Sequence, residues 1–92
     1  MTKTPDWLDV SEEHTDITLS RPLEIAGAKV SVIRMREPTV GDQRASDAAK
    51  GDEGAREISL MANLCELAPD DLHRLPLRDY KRLQAALVGF ID

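Results

Sequence analysis

Residues 35–42, Met-Arg-Glu-Pro-Thr-Val-Gly-Asp, divide this chain into two kinds of sequence. Upstream of Met35 the residues alternate and are rich in β-branched side chains. Downstream of Thr39 the apolar residues recur at helical spacing. Pro38 has no N–H to give a ladder and biases Glu37 away from helical angles, so a strand must end there. Thr39 is a good N-cap, and Asp42 places a negative charge at the positive end of the helix that follows. A capping box prefers Glu or Gln three residues after the cap, so Asp42 makes an imperfect match.

A strand-to-helix switch in a chain of 92 residues leaves room for one small α+β domain. With one Trp, one Tyr and one Phe, its core must be aliphatic. For such a size, buried area nearly balances chain entropy, which favours a partner or self-association. The net charge of −5 is unevenly spread: residues 1–14 carry −3 and the remaining 78 carry −2. The folded part is therefore nearly neutral, without the basic stripe that nucleic acid or an anionic membrane demands. No apolar run approaches the roughly 18–20 residues of a membrane span, and the first residues form no apolar signal region. Cys65 stands alone, so no intrachain disulfide is available, which suits a reducing cytoplasm.

Along the chain, residues 1–14 read as a disordered acidic leader. Trp7, Leu8 and Val10 disturb that reading, as a sticky motif for a partner or as a segment that packs back. Residues 15–92 read as the domain. A β-hairpin is expected over 16–36. Ile17, Leu19, Leu23 and Ile25 share one face of its first strand. Pro22 confines that strand to an edge or a bulge, and Gly27 marks the turn. The return strand changes phase from Val30 and Val32 to Ile33 and Met35, which calls for a bulge near Val32–Ile33. A lone hairpin is marginal in water, so helices must cover it.

Three to four helices follow, over about 40–50, 53–67, 69–75 and 77–90. The first is Ala-rich and weak, with Val40, Ala45, Ala48 and Ala49 as its apolar side. The second is the richest. Ile58, Met61, Ala62 and Cys65 form one stripe, and Leu60, Leu64 and Leu67 form a second beside it. Together they span roughly 220° of the circumference. Either this helix is central, or the Leu60–Leu64–Leu67 stripe faces another molecule. Pro69, Asp70 and Asp71 open the third helix by Pro at the first position and acids in the first turn. Tyr80, Leu83, Leu87, Phe90 and Ile91 form one face of the last.

Reaction chemistry is not visible. The stretch Gly51-Asp52-Glu53-Gly54 lacks the length and the lysine of a phosphate loop. His14 and His73 have no metal-ligand spacing to each other or to Cys65. No Ser/His/Asp set is present. No enzyme, cofactor or metal is expected.

The segments in order resemble the short tail assembly chaperones of Mu-like and P2-like contractile-tailed phages. The resemblance runs over about residues 16–90. It is carried by Pro22 to Gly27, by Met35, Arg36, Pro38, Thr39 and Asp42, by Leu64, Cys65, Leu67, Pro69 and Leu72, and by Leu75, Asp79, Tyr80 and Leu83. It implies a non-catalytic protein that binds the tape measure protein, a long helical chain, in the bacterial host cytoplasm, and that is missing from the finished virion. A holdase for an amphipathic helix needs an exposed apolar stripe. Leu60, Leu64 and Leu67 are the expected contact, with Trp7 as a second candidate. The rival reading is a small structural completion or adaptor protein that stays in the particle.

Overall fold

The structure, a computed structural model, describes residues 4–91; residues 1–3 of the expected leader and Asp92 lie outside the described residues. Three strands, β1 (Leu8–Val10), β2 (His14–Ile25) and β3 (Ala28–Arg36), precede four helices, α1 (Val40–Ala48), α2 (Glu53–Cys65), α3 (Pro69–His73) and α4 (Leu77–Ile91). The sheet is antiparallel in the order β1-β2-β3. The fold is α+β, as the residue pattern requires.

One face of the sheet carries Ile17, Leu19, Leu23, Ile33 and Met35 into the core, against Met61, Leu64 and Leu83 from the helices. Every fully enclosed apolar side chain is aliphatic or sulfur-bearing, as the aromatic-poor composition dictates. Helix α4 packs on β2 and α2 on β3, while α1 and α3 flank α2. Helix α2 is thereby central, with Leu60, Met61, Ala62, Leu64 and Cys65 all buried. That resolves most of its wide apolar arc: residues of both stripes are buried inside the fold, while Ile58 and Leu67 stay half-buried.

The expected disordered leader is corrected at its C-terminal part. Leu8, Asp9 and Val10 pair with Ile17, Asp16 and Thr15. Trp7 and Leu8 pack half-buried against the core. An acidic composition argues for disorder only where too little apolar surface is available to offset chain entropy, and these two side chains supply it.

The bulge is corrected too. Thr18 faces Val32 and Leu23 faces Val30, so Leu19–Pro22 of β2 stand opposite Ser31 alone. The irregularity borders Val32, as expected, but the extra residues lie in β2 and not in β3. An odd shift in register must flip one strand's faces relative to the other, which is why the phase break is visible in β3. Phase alone does not say which strand carries the excess. Pro22, with no N–H, belongs on the irregular strand.

The hairpin closes through Ala26 and Gly27, with φ of 51° and 83°. Two positive angles define a type I′ turn, whose twist matches the flanking strands. Gly27 suits this and Ala26 does not, because a β-carbon in the left-handed region costs roughly 1–2 kcal/mol. Ala26→Asn is therefore expected to raise unfolding stability by about 1 kcal/mol, read as a higher urea midpoint at unchanged slope.

Helix α1 departs from its expected apolar side. Val40 is 78% exposed, and the buried residue is Ser46. Polar ties hold this helix. Ser46 Oγ donates to the Arg56 carbonyl at 3.0 Å, and Arg56 Nε donates to the Ala49 carbonyl at 3.2 Å. Alanines offer too little area to anchor a helix by burial alone. Between α1 and α2 the chain turns at Gly51, φ 109°, where a β-carbon would stand 2.8 Å from that of Ala55.

Candidate polypeptide-binding surface

The residues that carry the sequence resemblance build junctions. At the strand-to-helix switch, Asp42 accepts from the Thr39 backbone N–H (2.9 Å), while Thr39 Oγ1 accepts from the Asp42 N–H (3.2 Å). The box closes with aspartate in the place of glutamate. Asp42 also takes a two-pronged bond from Arg36, at 2.6 and 2.9 Å, and one from Asn63 of α2 at 3.1 Å. The Arg36 guanidinium first, and the Thr39 N–H next, hold the Asp42 carboxyl far below the usual carboxylate range. One side chain thus ties β3, α1 and α2 together.

Asp79 plays the matching part at the bulge. It is fully buried, and it accepts from the Ser20 backbone N–H at 2.8 Å and from Ser20 Oγ at 3.0 Å. The N–H freed by the irregular register is satisfied by the helix packed on it. Beside it, the Tyr80 hydroxyl donates to Glu57 at 2.6 Å, and Gln84 donates to the same oxygen at 2.7 Å. Burial, and then the Glu57 carboxylate, push the Tyr80 phenol well above its ordinary pKa. Arg74 donates to the Glu24 carbonyl at 2.7 Å and to Asp71 at 2.6 Å. Asp71 in turn caps α3 through the Ala68 N–H at 3.2 Å. Its two oxygens thus serve the helix start and the Arg74 bond.

Cys65 is buried, and that burial pushes its thiol up to about 12. A thiol in that state is inert as a nucleophile. Among the described residues no group of three or more His, Cys, Asp or Glu is placed to hold a metal ion. Among the described residues no helix is long and apolar enough to cross a membrane.

The expected contact stripe comes apart. Leu60 and Leu64 are 8% and 1% exposed and pack in the core; of the two, Leu64 also lines the groove described below. Leu67 stays half-buried. Its position is set by Glu66, which leaves α2 in the left-handed conformation (φ 55°). The Leu67 N–H then returns to the Ala62 carbonyl at 2.9 Å, a Schellman closure. Trp7 lies half-buried at the opposite sheet edge, with the Arg82 guanidinium 5.0 Å from its ring centre.

Leu67 opens onto an apolar groove of about 370 Å³ between β3 and the end of α2. Ile25, Val30, Val32 and Ile33 form its sheet side, and Arg36 and Glu66 stand in its wall. Val32 is 48% exposed. β3 is the last strand of the sheet, so the N–H and C=O groups of its outer edge have no strand partner among the described residues. The sequence pointed to Leu67. It did not point to Ile25, Val30 and Val32 as groove residues, because only packing decides which part of the sheet the helices leave uncovered.

The geometry is that of a small α+β domain with an apolar groove beside an unpaired strand edge. Over residues 16–92 the chain matches the family model described as phage tail assembly chaperone proteins, E, or 41 or 14. No curated protein and no solved structure matches it significantly. The chain belongs to the phage tail assembly chaperone family.

Proposed function

We propose that this tail assembly chaperone acts by holding the tape measure protein, without catalysis, until the tail tube forms, and that it is absent from the finished particle. The observation that carries the reading is the groove lined by Ile25, Val30, Val32 and Leu67. An amphipathic helix binds by laying an apolar stripe into such a channel. Much of the channel wall lies on a sheet strand, so it is preformed and little ordering entropy opposes capture. A long helical chain with a repeating apolar stripe offers many equivalent sites, which makes weak single contacts sufficient.

The test is co-expression of the chain with the tape measure protein of the same phage. The wild-type chain should keep that protein soluble and co-purify with it. Val32→Glu alters an exposed position, so the fold should persist by circular dichroism while co-purification drops about tenfold or more. Capture at the wild-type level by both Val32→Glu and Leu67→Glu would place the contact elsewhere. Mass spectrometry of purified particles decides the rival role, since a retained structural subunit would be found there.

A further inference from the structure

The leader is a poor fit to the sheet edge it occupies. Asp9 stands directly opposite Asp16, and like charges facing across a ladder are destabilising. Arg34 bonds Asp16 at 2.8 Å, but it makes no ion pair with Asp9 among the described residues. Under the leader lies a hollow of about 400 Å³ between Leu8, Val10, Thr15 and the end of α4 at Ala86 and Phe90. Val10 itself is 60% exposed and leaves that space unfilled. The strand is only three residues long, and the family match begins after it, at residue 16.

The edge is nevertheless built to receive a strand. The Thr18 N–H donates to the Trp7 carbonyl at 2.8 Å, and the Ser11 N–H donates to the His14 carbonyl at 2.8 Å. Arg82 donates to the Thr18 carbonyl at 2.6 Å while its guanidinium covers the Trp7 ring. That gives a ladder plus a cation–π seat for an aromatic residue.

We infer that the β2 edge and Arg82 form a strand-addition site for a partner's extended segment, which the leader occupies and can yield. The segment that fits carries an aromatic residue at the Trp7 position, a cation at the Asp9 position and a bulky aliphatic at the Val10 position. A cation there would alternate with Asp16 and Arg34 across the sheet. A larger aliphatic would fill the hollow against Phe90. This site lies on the opposite sheet edge from the groove of β3 and does not depend on the tape measure reading.

Trp7 is the chain's sole tryptophan, so its emission reports the leader directly in the full-length protein. The probes are peptides of residues 4–13, one with W7F alone and one with W7F, D9K and V10L. The second peptide is expected to shift Trp7 emission to that of a solvated indole, saturably, at about one-tenth the concentration the first requires. A V10C/T15C cross-strand disulfide, which joins directly paired positions, should abolish the shift until it is reduced. No shift at millimolar peptide overturns the inference. So does equal binding of labelled peptide to the locked chain. Equal potency of the two peptides also overturns it, by pointing to exchange of leaders between copies of this chain.

Discussion

Asp79→Ala is expected to cost about 3 kcal/mol of unfolding stability, or a fall in Tm of about 15 °C for a domain this size. The Asp79 side chain is wholly enclosed, and its two oxygens take both the N–H and the hydroxyl of Ser20. Alanine takes away the side-chain acceptor of that part-buried N–H, at the place where the sheet ladder is already interrupted. It also leaves Arg82, 4.0 Å away, without its nearby carboxylate. Asp79→Asn keeps the shape and one acceptor oxygen, so it should lose roughly half as much. Ser20→Ala removes only the hydroxyl bond and should cost about 1 kcal/mol. Urea titrations of the three variants give the ranking. A loss under 1 kcal/mol for Asp79→Ala would mean that water replaces the carboxylate and that the bulge is not pinned to α4.

The second large effect belongs to Asp42. Asp42→Ala removes the capping box, the Arg36 pair and the Asn63 bond together. The cap accounts for about 1 kcal/mol. The ion pair adds less than its geometry suggests, because the Arg36 side chain is 40% exposed and solvent screens it. A total of about 2 kcal/mol is expected. The pH dependence identifies the cause. The Asp42 carboxyl is held below its free value by Arg36 and by the Thr39 N–H. A depressed folded-state pKa gives stability that is complete above the unfolded value near 4 and is lost as pH falls toward the folded one. Wild-type stability should therefore be flat in this respect above about pH 5 and decline below it. Asp16, lowered by its bond to Arg34, adds to the same decline. Asp42→Asn should be less stable at pH 7 and show a shallower acid decline. Parallel curves for the two proteins from pH 6 to pH 2 would contradict this assignment.

Local rules were enough wherever partners lie close in sequence. Pro38, Thr39 and Asp42 define the strand-to-helix switch within a few residues, and the structure puts the α1 N-cap at Thr39. Ala68, Pro69 and Asp71 define the start of α3 in the same way. The wide arc of α2 signalled a central helix or an exposed stripe, and only packing chose between them. Helix α1 was found, but its anchoring was not. Its buried residue is a serine that bonds to a carbonyl ten positions on, and no apolar periodicity reports such a contact.

The amino-acid sequence determined the α+β class, the helix boundaries to within a few residues, the aliphatic core and the family resemblance, because each depends on side-chain type and short spacing. The tertiary structure decided which strand bulges, that Leu8–Val10 join the sheet, and that Leu60 is interior while Val32, Leu64 and Leu67 line the groove. Those outcomes depend on pairs such as Ser20 with Asp79 and Thr18 with Arg82, which are 59 and 64 residues apart. Such contacts form only after the chain has closed on itself, so no window of sequence contains both partners.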